Sequence, residues 1–242
     1  MTPEALRLIQ RNITEFGYHT YLISGGPTPR FAYTIGLSDT VGSEIVLAGA
    51  ALFSAKQVKQ IVDTLAALVR RGDTPSDAAV GSLGRFRIAE VCEQWARPMM
   101  LGAYGFFGDR EPQFWQAVPD ENHSTIDVPH MARPWTGDSN GAWRWQFEEW
   151  PFSVSRKSTA MTNLAALRGS RVTEVARWEE DQWELFAGPS TEIKDDEARA
   201  VALGTLLGAD KTLEVAVELP VGGAVWRDED GGPWHAWARG RA

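Results

Sequence analysis

The chain of 242 residues is long enough for one large domain or two smaller ones, each with a substantial core. Hydrophobic residues make up 43% of it and charged residues 23%, which is typical of a globular protein, and Cys92 is the only cysteine, which excludes an intrachain disulfide and a cysteine-based zinc site. The formal net charge is −8 and no basic stretch stands out, so nucleic acid is not an expected partner.

Apolar periodicity and capping residues predict the elements of the first half of the chain. Thr2 and Pro3 are typical of a helix start, and Gly17 predicts its end. A capping box at residues 54–57 opens a second helix, whose broad apolar stripe continues to residue 71. Residues 96–108 fit either a short helix or an irregular connection. The predicted strands are 18–26, 31–37, 45–50, 84–91 and 112–120.

The second half begins with a long segment, residues 120–160, that contains four of the eleven tryptophans. So many rings argue against disorder, and we expect an ordered excursion over the sheet, with its Trp-rich part at 133–152. The first domain is predicted to end near residue 168. The elements predicted beyond it are strands at 171–178 and 183–188, a helix from Asp195 or Asp196 to Leu207, a short helical piece at 211–218, and two final strands around the Asp-Gly turn at 230–231.

These elements predict an α+β fold in two domains. Residues 1–168 would form a mixed or antiparallel sheet packed with helices, and residues 169–242 a smaller α+β module. The smaller module is acidic, with eight Lys and Arg against fifteen Asp and Glu, whereas the first 168 residues carry sixteen against seventeen. No secretory signal is visible at the N-terminus, and no apolar run approaches the roughly 18 residues of a membrane span. We therefore expect a cytoplasmic protein with no membrane contact.

Two parts of the chain resemble known families. The motif FAYTIGL at 31–37, the strand SEIVLAGA at 43–50, the helix after it and FWQAVPD at 114–120 resemble the uncharacterised bacterial family "domain of unknown function 4262", over residues ~10–130. The Trp-rich segment 133–152 departs from that pattern. Residues 181–188, 210–213 and 219–227 resemble a small module of bacterial immunity or interaction-type proteins. These resemblances imply architecture and a bacterial context, and neither implies an activity.

The strand at 31–37 offers a candidate ligand site. Because neighbouring residues of a strand face opposite sides, Ala32, Thr34 and Gly36 share a small, polar face, and Tyr33 lies on the other. A small-residue face lets either a helix or a flat ligand approach closely. We favour a core strand packed against the helix at 54–71. The alternative is a ligand cleft lined by Tyr33, Thr34 and Gly36, with no cofactor predicted.

A cluster of acidic residues and histidines follows the strand at 112–120. It consists of Asp120, Glu121, His123, Asp127 and His130. Carboxylates and imidazoles suit metal binding or acid–base catalysis, but this spacing matches no motif that fixes their geometry. We therefore predict solvated loop residues and no metal. In the rival hypothesis of an enzyme, Asp120 and His123 would perform acid–base catalysis beside Thr34.

The acidic module and the tryptophans favour a protein partner. Large rings beside arginines have the composition of interfaces, although for the Trp-rich segment itself we favour a satellite core under the long loop. The hypothesis is a cytoplasmic bacterial protein-binding protein with a basic partner, in its most specific form an immunity protein that neutralises a basic toxin. The alternative is a small-molecule enzyme or sensor with a cleft beside the YTIGL strand. The candidate partner-binding residues are Trp135, Trp143, Trp145, Glu179, Glu180 and Asp181.

Overall fold

The computed structural model describes residues 1–73, 75–137 and 139–237, and the chain forms two compact units. The first unit consists of residues 1–24, 30–124 and 128–139. The second consists of residues 25–29, 125–127 and the chain from 140 onwards. Each unit contains its own six-stranded mixed sheet with helices, which confirms the predicted α+β class. No helix in the described residues is long and apolar enough to cross a membrane.

The two helices of the first unit whose capping residues the sequence predicts begin and end where those residues indicate. Thr2 Oγ1 accepts a hydrogen bond from the Ala5 amide at the start of the first helix, and Gly17 ends that helix with φ of 87°. Ser54 and Gln57 form the predicted reciprocal capping box. The helices are α1 (Pro3–Phe16), α2 (Ser38–Val41), α3 (Ala55–Arg70), α4 (Glu93–Met99) and α5 (Leu101–Phe107).

The sheet of the first unit contains the five predicted strands and one further short strand, Ala78–Ala79, which the sequence does not predict. Its strands are β1 (His19–Ile23), β2 (Phe31–Ile35), β3 (Glu44–Ala48), β4 (Ala78–Ala79), β5 (Arg85–Glu90) and β6 (Phe114–Pro119). Their order is β1-β2-β3-β6-β5-β4, and the β3–β6 pair is parallel while the other pairs are antiparallel. Every residue of β2 and β3 is buried, and the buried face of α3 belongs to the same hydrophobic core as Ile45 and Leu47. The two strands therefore form the centre of this unit.

The second unit is built around a sheet in the order β10-β7-β9-β8-β11-β12. The β7–β9 pair is parallel, and the other pairs are antiparallel. The helices are α6 (Arg144–Phe147), α7 (Leu164–Leu167), α8 (Leu203–Ala209) and α9 (Val215–Glu218). The strands are β7 (Thr159–Asn163), β8 (Glu174–Glu179), β9 (Gln182–Phe186), β10 (Ala198–Ala202), β11 (Ala224–Trp226) and β12 (His235–Ala236).

Two predictions for this part of the chain differ from the structure. The division between the units falls at residues 139 and 140 rather than near 168, because β7 pairs with β9 and β10 inside the second sheet. The helix predicted from Asp195 or Asp196 begins only at Leu203. Residues 198–202 pair with β7 over their whole length, so sheet pairing overrides the helical propensity of this alanine-rich stretch.

His19 makes the stability of the first unit depend on pH. The ring is buried on β1, and its Nδ1 accepts a hydrogen bond from the Asn12 side-chain nitrogen at 2.8 Å. Burial lowers the pKa of His19 below its ordinary value of 6.5. The unfolded chain therefore binds the proton more readily, and the free energy of unfolding should fall as the pH drops below about 6.5.

The test compares the wild type with His19→Gln, which cannot titrate. We expect the wild type to lose more stability than the variant between about pH 7.5 and about pH 5.5, measured by urea unfolding. An identical loss in both proteins would contradict a role for His19.

Candidate functional site

A buried carboxylate organises the end of β2 and the loop that follows it. Glu44, at the start of β3, is fully buried. Its carboxylate accepts hydrogen bonds from Thr34 Oγ1 at 2.5 Å, from Ser38 Oγ at 2.8 Å, and from backbone amides. Those amides belong to Gly36, Leu37 and Ser38, at 2.8, 3.2 and 3.0 Å. Five donors thus surround one buried carboxylate, which satisfies its need for hydrogen bonds without a cation.

The candidate ligand residues Tyr33, Thr34 and Gly36 all contact other residues of the core. The Thr34 hydroxyl is buried and bonded to Glu44. Gly36 has φ of +100°, and a Cβ there would lie 2.7 Å from the Ile13 side chain. The three residues therefore form a core strand and its turn, which is the alternative that the sequence favoured.

Tyr33 is buried on the opposite face of β2. Its hydroxyl accepts a hydrogen bond from the Gly102 amide at 3.0 Å, and its ring stacks on Phe31. Burial raises the pKa of Tyr33 to about 12, although the Gly102 hydrogen bond opposes this shift. A phenol in this state remains protonated near neutral pH, so Tyr33 serves as a structural donor or acceptor rather than a base.

The register of the sheet separates Thr34 from Asp120. Thr34 lies at the level of Ile45, where β2 and β3 begin to diverge, and Ile45 pairs with Trp115 on β6. Asp120 follows β6 five residues beyond Trp115, which corresponds to about 16 Å along an extended strand. The structure therefore does not place Thr34, Asp120 and His123 around one pocket.

Asp120 and His123 form a hydrogen-bonded pair at the end of β6. His123 Nδ1 lies 2.8 Å from Asp120 Oδ1, and the Arg85 amide donates to Asp120 Oδ2 at 2.7 Å. Burial alone would raise the pKa of Asp120, but the hydrogen bonds from Arg85 and His123 outweigh it and hold this pKa below its usual range. The His123 ring stacks on Phe53. Asp120 thus caps the turn and joins it to β5.

The remaining members of the predicted cluster do not join this pair. Glu121 and His130 are exposed, and the buried Asp127 belongs to the second unit, where it accepts a hydrogen bond from Thr125. Within residues 1–73, 75–137 and 139–237, no group of three His, Cys, Asp or Glu side chains could hold a metal ion.

Two tryptophans assigned to a partner surface are core residues of the second unit. Trp143 and Trp145 are buried, and their indole nitrogens donate to the carbonyls of Asp127 and Gly204, each at 2.8 Å. The Trp145 ring also meets Trp150 edge to face at 5.2 Å. Their assignment to a partner surface is therefore wrong, and the alternative of a core under the long segment is correct.

Trp135 lies apart from these rings, in the first unit. It is half-buried, and its backbone amide donates to Gln94 Oε1 at 2.7 Å. It therefore offers a partner only part of its ring.

The three candidate acidic residues lie together at one end of the second sheet. Glu179, Glu180 and Asp181 form the hairpin turn between β8 and β9, and all three are exposed. Trp178, directly before them, is 55% exposed. We call these four residues the acidic turn. The sequence predicts a partner surface at the three acids but not at Trp178, which is separated from the Trp-rich segment.

Next to the acidic turn, the outer face of the second sheet carries an open groove. Alternation along the strands buries Val175, Leu185 and Val225 on the inner face. The outer face carries one cross-strand row in which Met161, Glu184, Ala176 and Ala224 are neighbours on four adjacent strands. Beside this row lies a groove of about 810 Å³, which we call the outer groove.

The lining of the outer groove is apolar with two carboxylates. Trp178, Val221 and Trp237 line it, and they are 55%, 57% and 47% exposed. Glu174 and Glu184 are its acidic residues, and the described lining contains no Lys, Arg or His. Glu174 accepts a hydrogen bond from the Ser190 amide at 2.8 Å. The Glu184 backbone pairs with β7 and β8, whereas its carboxylate makes no hydrogen bond or ion pair to any residue that the structure describes.

Arg177 is the positively charged residue of β8, and its guanidinium is bonded within the second unit. Arg177 donates to the carbonyls of Leu219 and Glu180, each at 2.9 Å, and its guanidinium lies 4.7 Å from the ring centre of Trp183. Trp183 belongs to the buried inner side of the sheet. The guanidinium is therefore committed to the fold, and the outer groove keeps its negative character.

Taken together, these features define an α+β protein with a structural carboxylate in the first unit and an acidic, aromatic surface on the second. Residues 12–124 match the model of the family described as "Domain of unknown function (DUF4262)". This match agrees with the expected resemblance over residues ~10–130 and contains both Glu44 and the Asp120–His123 pair. The outer groove lies beyond it. No curated protein and no solved structure matches the chain.

Proposed function

We propose that this protein is a cytoplasmic protein-binding protein whose second unit docks a basic protein. The observation that carries the proposal is the acidic turn, where the exposed ring of Trp178 lies beside three exposed carboxylates. Exposed aromatic rings supply contact area at interfaces, and a patch of one charge increases the rate of encounter with a partner of the opposite charge.

The charge distribution supports the same proposal. The second unit contains eighteen Asp and Glu against twelve Lys and Arg, whereas the first unit contains fourteen against twelve. A partner with a basic surface would therefore approach the second unit preferentially. The most specific form of the proposal is an immunity protein that neutralises a basic toxin, in line with the resemblance of residues 181–188, 210–213 and 219–227 to immunity-type modules.

The alternative of a small-molecule enzyme is not supported by the three residues named for its catalysis. It requires Thr34, Asp120 and His123 around one cleft, and the sheet register separates them. The hydroxyl that it would use is bonded to Glu44.

The proposal is tested by reversing the charge of the acidic turn. Native mass spectrometry of the protein isolated from its own host should reveal a basic protein at fixed stoichiometry. In the triple variant Glu179→Lys, Glu180→Lys, Asp181→Lys, we expect the association rate with that partner to fall at least about tenfold at low salt, because steering is lost. Stopped-flow fluorescence measures this rate.

A matched triple variant controls for the change in net charge. Glu15, Asp109 and Glu121 are exposed acids of the first unit, and changing them to Lys alters the net charge equally. This control should retain most of the wild-type rate. Equal rates in the two triple variants, or the absence of a basic partner, would overturn the proposed function.

A further inference from the structure

We propose that the outer groove binds a segment of the partner protein that carries both apolar side chains and Lys or Arg. This inference rests on the proposed function, since it identifies the part of the partner that docks. The outer groove and the acidic turn share Trp178, but their carboxylates differ: Glu174 and Glu184 line the groove, whereas Glu179, Glu180 and Asp181 do not.

Three exposed apolar side chains indicate that the bound segment is partly apolar. Trp178, Val221 and Trp237 each present about half of their surface to solvent around one groove. Exposed large apolar side chains on a globular protein are normally scattered, and their clustering around a concave surface is typical of a binding site. The volume of about 810 Å³ holds several side chains rather than one.

The bottom of the outer groove, which we call its floor, shows where apolar side chains of the bound segment would enter. Ala176 and Ala224 are cross-strand partners on the outer face, so the floor is low at this point. The Trp237 amide donates to the Ala224 carbonyl at 3.0 Å, which holds the aromatic wall next to these alanines. Val221 lines the groove as well. Small residues on the floor beside large residues at the rim form a depression that accepts an apolar side chain.

The basic part of the occupant follows from Glu184. Glu184 pairs with Ala176 across β9 and β8, so its carboxylate lies beside the low floor. It is partly buried and has no partner among the described residues, and an anion beside apolar walls is stabilised when a cation approaches. With Glu174 as the second carboxylate and no cation in the described lining, the groove is complementary to a basic segment.

The same charges disfavour other occupants. A second copy of this chain docked through the same face would place Glu174 and Glu184 against their own copies. Phosphate groups of lipids or nucleic acids would be repelled by these carboxylates.

The test uses labelled synthetic peptides and the full-length protein. The probe is Gly-Ser-Lys-Leu-Lys-Leu-Lys-Ser-Gly with an N-terminal fluorophore. One control peptide has Glu in place of each Lys, and the other has Ser in place of each Leu. We expect the probe to bind at least about tenfold more tightly than either control peptide in fluorescence anisotropy titrations, because both charge and apolar contact contribute.

Two variants of the protein assign this binding to the outer groove. Glu184→Gln keeps the shape of the side chain and removes its charge, and it should weaken binding of the probe at least about threefold. Trp178→Ala should weaken it by a similar factor. Glu214→Gln is the matched control, because Glu214 is an exposed carboxylate of the same unit that does not line the groove, and it should bind the probe as the wild type does.

The outcomes separate this inference from the proposed function. Equal binding of the Lys-Leu and Lys-Ser peptides, or no effect of Glu184→Gln, would overturn the groove inference. If a basic partner depends on the acidic turn while the probe fails to bind, the proposed function stands and the groove inference fails. If the probe binds through Glu184 and no basic protein accompanies the chain in its host, the groove inference stands and the proposed partner fails.

Discussion

Replacing Glu44 by Gln is expected to lower the free energy of unfolding of the first unit by about 3 kcal/mol. The carboxylate of Glu44 accepts all five of its hydrogen bonds inside the core. A Gln amide has only one oxygen, and its NH₂ group would face donors instead of acceptors. Several buried donors would then lose their partner at once, and their burial keeps bulk solvent from replacing it.

Hydrogen exchange of the β2 and β3 amides measures this effect within the first unit, since a chain with two units need not unfold in one step. Thr34→Val removes one of the five donors and should cost about 1–2 kcal/mol. Glu90→Gln, at an exposed carboxylate on β5, should change stability by less than about 0.5 kcal/mol. A loss below about 1 kcal/mol for Glu44→Gln would contradict the structural role of this carboxylate.

Gly208→Ala should destabilise the second unit by about 3 kcal/mol or more. A Cβ at Gly208 would lie 2.3 Å from the Gly141 carbonyl oxygen, and a Cβ at Gly141 would lie 2.5 Å from the Gly208 carbonyl oxygen. Both obstacles are backbone atoms, so no side-chain rotation relieves the overlap. Helix α8 would have to move away from residues 141–143, which carry the buried Trp143.

Urea unfolding followed by tryptophan fluorescence measures this change, because Trp143 and Trp145 become exposed when this contact opens. Gly232→Ala is the matched control, since a Cβ there meets no atom closer than 3.7 Å and the residue lacks a positive φ. It should leave the unfolding midpoint within experimental error. Equal midpoints for Gly208→Ala and Gly232→Ala would show that α8 tolerates the methyl group.

The sequence predicts those structural elements well that depend only on residues close together along the chain. The caps of α1 and α3 lie where Thr2, Gly17 and the capping box indicate, because caps depend on residues within one turn. The stretch 198–202 was mistaken for helix because its pairing with β7 is formed by residues more than thirty positions away.

The site was harder to predict than the fold. Composition does not distinguish a buried tryptophan from an exposed one, so Trp143 and Trp145 were assigned to a surface and Trp178 was overlooked. Glu44 was not singled out, since glutamate is usually exposed and its five donors come together only when the chain turns after β2. The outer groove depends on the register of several strands, which no single segment encodes.

The second unit is made of three separate stretches of the chain, which bears on where its gene can be divided. This unit includes residues 25–29 and 125–127 as well as the chain from 140 onwards. A Cβ on Gly204 would lie 2.1 Å from the Pro27 carbonyl oxygen, so the two backbone segments are in close contact. The carbonyl of Asp127 accepts a hydrogen bond from the indole nitrogen of Trp143. A gene fragment that starts at codon 140 would encode a unit without these two backbone contacts. We therefore expect a fragment that starts at codon 140 to be less stable than the same residues in the full-length chain.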